Sequence, residues 1–166
     1  PKARVQLLGS GTILNEVIKA AEMLERDYGI AADIWSATSY KTLYYEALET
    51  ARTNRLNPSS KPRLSYVAQC LNPTEGPIVA ASDYMKALPD LLSGYLNRPI
   101  HSLGTDGFGR SETREALRDF FEVDAKHVVI TALSALRGEG KVSASTFTEA
   151  IKKLGIDPKR EHPHKR

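Results

Sequence analysis

Val5-Gln6-Leu7-Leu8-Gly9-Ser10-Gly11 is the stretch that decides the fold, because it joins a strand to a helix. Its apolar first half predicts a buried strand, and its glycines predict a tight turn that needs backbone freedom. Apolar residues then recur at spacings of three and four from about Thr12 to Tyr28, which indicates an amphipathic helix ended by Gly29. A buried strand that leads directly into a helix is typical of layered α/β folds.

The same alternation continues along the chain. Three further strands are predicted, at residues 32–36, 77–81 and 100–103. One predicted helix is capped by Ser39 and runs to about Ala51. Another is capped by Ser82 or Asp83 and carries Tyr84 to Leu92, with a kink or late start at Pro89. Of the last three, one is capped by Ser111, one begins at Asp124, and one runs from Ser143 to Leu154. This alternation predicts a three-layer α/β/α domain with an open, mostly parallel sheet.

The connection from Asn54 to Pro77 is unusually long for a compact domain. It contains four of the nine prolines, and Leu64 to Leu71 could form a short amphipathic turn within it. Connections of this length are generally functional or form an interface.

The composition bounds the class of protein. A chain of 166 residues with 41% hydrophobic and 26% charged residues predicts a single globular domain. The single cysteine excludes an internal disulfide, and no apolar run approaches the ~20 residues that span a membrane. We therefore expect a cytoplasmic protein without a membrane partner. The start at Pro1, directly before a buried strand and without a methionine, favours a fragment of a larger enzyme.

The net charge of +3 is concentrated at the C-terminus. Four basic residues and Glu161 within the last nine positions account for it. We expect a folded domain over residues 1–157 and a basic, flexible tail over residues 158–166. Because the body is neutral overall, the sequence disfavours nucleic acid as a partner.

The turn of Gly9, Ser10, Gly11 and Thr12 is the first candidate site. Backbone amides at the start of a helix can bind an anion such as a phosphate. The dinucleotide-binding fingerprint requires a third glycine where this chain has Leu14, so a dinucleotide site is poorly supported. The alternative, which we favour, is a tight turn that needs glycine only for its backbone conformation.

The second candidate is the glycine-rich loop after the fourth strand. It comprises Thr105, Asp106, Gly107, Phe108, Gly109, Arg110 and Ser111. In open α/β sheets, ligands and interfaces gather at the carboxyl ends of strands. A structural loop, a ligand site and an interface all remain open, and Asp106 could pair with Arg110 or with a partner chain.

The sequence supports no catalytic, cofactor-binding or metal-ligating residue in this chain. Thr105-Asp106-Gly107 is similar to the Gly-Asp-Gly start of thiamine diphosphate metal sites, but the asparagine expected about two dozen residues later is missing. His101 could act as a base and Cys70 as a nucleophile, yet nothing in the sequence brings them together. The four histidines lack partners at metal-ligand spacing.

Several segments, taken in order, resemble one family. The stretch Leu103 to Glu115, with its continuation Phe121 to Ala125, is similar to the C-terminal domain of homodimeric bacterial pyruvate dehydrogenases. The opening strand and turn match as well, as do Tyr66-Val67-Ala68-Gln69 and Ser82-Asp83-Tyr84-Met85-Lys86. Transketolases share a more distant version, mainly Phe108-Gly109-Arg110-Ser111.

The resemblance implies a transketolase C-terminal-like fold of about five strands, one of them antiparallel at an edge. It implies that the full enzyme uses thiamine diphosphate and magnesium, held by its other domains, to decarboxylate pyruvate and acetylate a lipoyl group. The expected partners are the remaining domains, a second subunit of a homodimer and the dihydrolipoyl acyltransferase core. A structural and dimerising role is therefore our leading hypothesis for this domain. The alternatives are a stand-alone nucleotide- or anion-binding module and the equivalent domain of a transketolase.

Overall fold

A computed structural model describes residues 1–165 and shows a sheet of four strands covered by helices on both faces. The strands are β1 (Ala3–Gly9), β2 (Ile30–Ser36), β3 (Ile78–Ala81) and β4 (Ile100–Leu103). The helices are α1 (Leu14–Tyr28), α2 (Tyr40–Leu56), α3 (Tyr66–Leu71), α4 (Ala87–Asp90), α5 (Arg114–Phe120), α6 (Ala125–Gly138) and α7 (Ala144–Lys153). Three 3₁₀ turns occur at Gly11–Ile13, Ser93–Tyr95 and Pro163–Lys165.

The sheet has the order β2-β1-β3-β4, and every pair of neighbouring strands is parallel. The predicted α/β architecture is confirmed. The fifth, antiparallel edge strand is not found among residues 1–165, because the chain after β4 is helical wherever it is regular. Asp124 accepts a hydrogen bond from the His127 amide at 3.1 Å and so caps α6, the helix that was predicted to begin there.

Two apolar clusters lie on opposite faces of the sheet and form the core. On one face, α1 and α6 pack over alternate residues of β1, including Val5 and Leu7. On the other face, Leu8 lies in a cluster with residues of α2 and α3. Alternate side chains of a strand point to opposite faces, so one strand supplies both clusters.

Buried Gln6 is the polar exception on β1, and it is fully hydrogen-bonded. Its Oε1 accepts a hydrogen bond from Trp35 Nε1 at 2.8 Å. Its Nε2 donates to Asp33 Oδ2 at 2.8 Å and to the Glu75 carbonyl at 3.0 Å. The side chain therefore joins β1 to β2 and to the segment before β3, at no cost of unsatisfied polar atoms.

Several helix boundaries differ from those predicted. The helix after the glycine-rich loop is capped by Thr113, whose hydroxyl accepts a hydrogen bond from the Ala116 amide at 3.3 Å, and the predicted cap at Ser111 is wrong. Both residue types are good caps, so local preference does not separate them. The helix predicted to carry Tyr84 to Leu92 is reduced to α4, which begins at Ala87 and ends at Asp90. The late start expected from Pro89 is therefore confirmed, but the predicted length and the predicted cap at Ser82 or Asp83 are wrong.

The proline-rich connection begins later than predicted, because α2 continues to Leu56. The short amphipathic turn predicted over Leu64 to Leu71 forms as α3. The Asn54 side chain closes the loop between them by donating to the Arg63 carbonyl at 2.8 Å and accepting from its amide at 3.0 Å. At the end of the domain, Ser143 caps α7 through the Thr146 amide at 3.1 Å, as predicted.

Candidate functional site

The carboxyl ends of β1, β3 and β4 meet at one edge of the sheet, which we call the carboxyl edge. β1 connects to β2 on one side and lies beside β3 on the other, so the strand order reverses between β1 and β3. Ligands of open α/β sheets bind at such a switch point. A cleft of about 340 Å³ opens there, and Thr12 and Thr105 both line it. The two candidate segments that the sequence treats separately are thus neighbours.

Backbone geometry accounts for both glycines of the Gly9–Thr12 turn. A Cβ on Gly9 would lie 2.7 Å from Leu14 Cα, and Gly11 has a φ of +57°. The charged group at the turn is the Asp83 carboxylate, which accepts a hydrogen bond from Thr12 Oγ1 at 3.2 Å. A carboxylate repels an incoming anion, so the turn offers a poor environment for a phosphate.

The base of the glycine-rich loop is anchored to the segment after β3. The Thr105 amide donates to the Tyr84 carbonyl at 2.9 Å, and the Lys86 amide donates to Asp106 Oδ1 at 3.1 Å. A Cβ on Gly104 would lie 2.4 Å from the Tyr84 carbonyl oxygen, so this approach requires glycine. These contacts explain why Asp106 lies inward beside Lys86.

Arg110 and Asp106 do not pair with each other in the structure. The Arg110 guanidinium stacks over the Phe120 ring at 4.1 Å from its centroid, while Asp106 Oδ2 lies 3.8 Å from Lys86 Nζ. The prediction that Asp106 pairs with Arg110 within the loop is therefore wrong. The alternative, a pairing with a partner chain, stays a prediction. Both ends of the loop are attached to the domain, and Phe108 at its tip is 93% exposed.

Apolar and charged side chains together line the cleft. Its apolar residues are Leu117, Phe121 and Val123, of which Phe121 and Val123 are buried. The charged residues at the cleft are two acids, Asp83 and Glu112, and two bases, Arg114 and Arg118. The balance of signs favours a neutral or mixed-charge occupant over a simple anion.

Glu16 is a buried acid that the sequence analysis missed. Its Oε1 accepts a hydrogen bond from Arg118 Nη1 at 2.9 Å and its Oε2 accepts one from the Ala125 amide at 3.1 Å. The carboxylate joins α1 to α5 and to the start of α6. Glu16 lies near the apolar stripe of α1, which is a weak signal, because helix periodicity does not identify a partner so far along the chain.

Asp119, Asp124 and His127 form the one cluster of potential metal ligands found within residues 1–165, with ligand atoms within 4.8 Å of one another. Lys126 Nζ contacts Asp119 Oδ1 and lies 3.9 Å from Asp124 Oδ2. The ammonium thus occupies the position between the carboxylates that a metal ion would take. Burial raises the pKa of Asp119, but hydrogen bonds from Lys126 and Arg160 outweigh it and hold that pKa below its usual range. The two carboxylates of the cluster therefore belong to a network of ion pairs with Lys126 and Arg160.

The two remaining chemical candidates lie in different grooves. Cys70 lies on α3 and lines a groove with Trp35 and Tyr66. His101 lies on β4 and lines another groove with Phe147. The structure does not bring this pair together as nucleophile and base.

The C-terminal segment lies against the glycine-rich loop. Arg160 Nη1 donates to Asp119 Oδ2 at 2.9 Å, and His162 Nε2 lies 3.1 Å from Lys86 Nζ. A Cβ on Gly107 would lie 3.1 Å from His164 Cα. Partial burial and the nearby Lys86 lower the pKa of His162. The flexibility of residues 158–165 stays a prediction, and Arg166 lies outside the described residues.

A family model described as the transketolase-like TK C-terminal domain matches residues 1–124, more than half of the chain. The chain belongs to the transketolase-like C-terminal domain family. A split-gene transketolase, solved as an inactive β4 tetramer, has a TM-score of 0.55 and 22% identity over 81% of this chain and 39% of its own. That likeness supports the transketolase-like C-terminal fold.

Curated relatives of this transketolase-like domain are pyruvate dehydrogenase E1 components. The Pseudomonas aeruginosa protein is 48% identical over 160 residues, and the Escherichia coli K12 protein is 44% identical over 163 residues. These alignments cover 96% and 98% of the chain but 18% of each relative. The family resemblance seen in the sequence is thus confirmed. Across residues 1–165, the helices are too short or too polar to cross a bilayer.

Proposed function

We propose that this chain is the C-terminal domain of a cytoplasmic pyruvate dehydrogenase E1 component. The complete enzyme decarboxylates pyruvate with thiamine diphosphate and magnesium and passes the acetyl group to a lipoyl group on the dihydrolipoyl acyltransferase core. The observation that carries the proposal is the 48% identity to such a protein over 96% of the chain. The transketolase-like C-terminal family match supports the same assignment.

Within that enzyme, the domain has a structural and dimerising role. The residues of this chain do not fit thiamine diphosphate and its magnesium ion. The one cluster of potential metal ligands found within residues 1–165 contains Asp119 and Asp124, whose carboxylates are already paired with Lys126 and so do not offer a magnesium site. The Asp83 carboxylate at the Gly9–Thr12 turn disfavours the alternative of a stand-alone module that binds a simple anion.

Exposed apolar side chains support an interface role near both segments that the sequence singled out. Leu64 and Tyr66 are 56% and 59% exposed in and after the proline-rich connection. Tyr84 and Met85, beside the glycine-rich loop, are similarly exposed. Exposed apolar side chains grouped in this way are typical of surfaces that contact another domain or subunit.

Two measurements test the proposal. The full-length enzyme should release CO₂ from pyruvate only with thiamine diphosphate and magnesium, and a full-length protein without this activity would refute the enzyme assignment. In calorimetry, the full-length enzyme should bind thiamine diphosphate and the separately expressed chain should not. Micromolar binding by the separate chain would overturn the supporting role of the domain.

A further inference from the structure

Helix α2 carries exposed apolar side chains on the side that faces solvent. Its buried residues, Tyr40 and Ala47, lie on the opposite side, against the core. Tyr45 and Leu56 are 58% and 57% exposed, and Leu48 is exposed between them. Their spacing places all three in one stripe along the helix. The solvent side of a surface helix is normally polar, so this stripe is typical of a surface that another molecule covers.

Basic side chains lie within the same stripe. Lys41 and Arg52 continue it at spacings of three and four residues, and Arg55 borders it. The Lys41 ammonium lies over the Tyr45 ring, 5.6 Å from its centroid. All three basic side chains are exposed, and none of them forms an ion pair within residues 1–165. Glu49 is the one exposed acid of the helix, so the stripe keeps an excess of positive charge.

The loop after α2 extends this surface. Between Thr50 and Thr74 the chain has four basic residues and no acidic residue. Lys61 and Arg63, the two basic residues of the loop, are exposed and have no ion pair in the described part of the chain. Leu64 follows them and is 56% exposed. The loop thus repeats the combination of cations and exposed apolar side chains that α2 shows.

Hydrogen bonds hold the loop beside the end of α2. The Asn54 side chain donates to the Arg63 carbonyl at 2.8 Å and accepts from the Arg63 amide at 3.0 Å. Gln69 Nε2 donates to the Leu64 carbonyl at 2.8 Å. These contacts fix the backbone of a segment whose side chains face solvent. A surface that is ordered before it meets its partner loses little conformational entropy on binding.

The charges of this surface identify the chemistry of the partner. Five exposed cations and one exposed acid lie on the outer side of α2 and on the loop. Acidic side chains of a partner would pair with the cations, and apolar side chains between them would cover the leucines. An acidic amphipathic segment, with apolar residues at helical spacing, supplies both.

Three features favour a separate protein as the source of that segment. Charge steering speeds the approach of a partner that arrives by diffusion, and a tethered domain of the same chain gains little from it. A membrane-surface helix separates its basic residues from its apolar ones, whereas Arg52 lies between Leu48 and Leu56 in the stripe. A nucleic acid would pair with the cations through its phosphates but leave the leucines exposed.

We propose that the outer side of α2 and residues 61–64, together called the α2 surface, form a docking surface for an acidic amphipathic segment of a separate protein. The apolar stripe covers the apolar residues of that segment, and the flanking cations pair with its carboxylates. The inference goes beyond the proposed function, because the partner is neither a domain of the same chain nor a second subunit.

A synthetic peptide tests the proposed chemistry in the full-length enzyme. The probe is a fluorescein-labelled peptide of about 15 residues, the length of the stripe, with leucine at every third or fourth position and glutamate and alanine elsewhere. Fluorescence anisotropy should show binding, and the same peptide with glutamine for glutamate should bind roughly tenfold more weakly. Equal affinity for the two peptides, or no binding of the acidic one, would overturn the proposal. Binding by the separately expressed chain alone would assign the α2 surface to a domain of the same enzyme and overturn it as well.

Substitutions within the α2 surface locate the contact. Arg52→Glu and Arg63→Glu should each weaken the binding of the acidic peptide roughly tenfold, because they place a carboxylate against carboxylates. Lys152→Glu, at an exposed position of α7, makes the same change of charge elsewhere and should leave the affinity unchanged. An equal loss in all three variants would show general charge attraction and refute a defined surface.

A further variant tests the apolar part of the contact. Leu48→Ser should weaken binding severalfold, and an unchanged affinity would show that the leucines take no part. The substituted side chains are exposed, so circular dichroism should show an unchanged fold in every variant.

Two further measurements separate the remaining outcomes. Vesicles of phosphatidylcholine and phosphatidylserine should not sediment the enzyme, and sedimentation that Arg52→Glu abolishes would assign the surface to a membrane instead. An enzyme that decarboxylates pyruvate but does not bind the peptide refutes the docking surface alone. A full-length protein that binds the peptide but does not decarboxylate pyruvate refutes the proposed function alone.

Discussion

Glu16 and Arg118 are 102 residues apart in sequence, and their side chains form a 2.9 Å ion pair with 8% and 13% of their surfaces exposed. Removal of one partner leaves the other charge buried without compensation, which is costly. We expect Glu16→Gln to lower the free energy of unfolding by about 3 kcal/mol in urea titrations. Glu25→Gln, on an exposed position of the same helix, is the control and should change stability by less than about 0.5 kcal/mol. Equal effects at both positions would show that the pair does not stabilise the fold.

The second prediction concerns the contribution of the Gln6 hydrogen bonds to stability. Gln6→Leu keeps most of the volume but removes the acceptor of Trp35 Nε1 and the donor to Asp33. We expect a loss of about 1–3 kcal/mol, the cost of polar groups left without partners. Trp35 is the only tryptophan, so its fluorescence reports the change directly. Gln69→Leu, on the exposed side of α3, removes one exposed hydrogen bond to the Leu64 carbonyl and should therefore cost much less stability, with the emission nearly unchanged.

The comparison of sequence and structure shows which features are local. The β1 strand, its turn and α1 were predictable, because hydrophobic period and glycine position act over a few residues. The start of α5 was not, because Ser111 and Thr113 are equally good caps, and only the structure shows that the Ala116 amide donates to Thr113. Local sequence preference therefore predicts whether a helix or strand forms more reliably than it predicts the residue at which that helix or strand begins.

Part of the candidate site was likewise predictable from the sequence, and part was not. The glycine-rich loop was predictable as a feature at the end of β4, because strand ends and glycines are visible in sequence. The charge of its surroundings was not, since Asp83, Glu16 and Arg118 approach the site through the fold. The carboxylate of Asp83 at the Gly9–Thr12 turn changes the chemistry of that turn, and no spacing in the sequence indicates this contact.

Gly76 permits a third prediction, because its backbone is both unusual and crowded. Its φ is +81°, and a Cβ would lie 1.8 Å from the Arg4 carbonyl oxygen. Gly76→Ala must therefore displace β1 or the segment before β3, and we expect a loss of about 2–5 kcal/mol in thermal or urea unfolding. Gly94→Ala is the matched control, because a Cβ there meets no atom within 4 Å. Comparable stability of the two variants would contradict the close approach.

The lowered pKa of Asp27 predicts that the folded domain loses stability at acidic pH. The hydrogen bond from Arg26 lowers the pKa of the Asp27 carboxyl to about 2, and Lys153 on α7 adds to this effect against the opposing influence of burial. A carboxyl whose pKa is lower in the folded state stabilises the fold above its unfolded pKa of about 3.9, and this contribution is lost as the pH falls towards 2.

Urea midpoints measured at pH 7, 4 and 2.5 check this dependence. The wild-type chain should lose stability between pH 4 and pH 2.5, and Asp27→Asn should lose less over the same interval. Glu49→Gln, at an exposed position without an ion pair within residues 1–165, should follow the wild type. An Asp27→Asn curve parallel to the wild-type curve would contradict the assigned ion pairs.

The last prediction concerns the support that the C-terminal segment gives to the glycine-rich loop. Arg160 binds Asp119, His162 lies beside Lys86, and the His164 backbone lies against Gly107. A chain that ends at Lys159 lacks all three contacts, so the loop opens more often. Amide hydrogen exchange of residues 105–110 should then be roughly tenfold faster, because exchange reports local opening. Exchange in α7 should not change, and Lys152→Ala, an exposed substitution outside these contacts, should leave the loop as in the wild type. Unchanged exchange of the loop in the shortened chain would show that its anchors at Asp106 and Arg110 suffice, and that the C-terminal segment lies against the loop without restraining it.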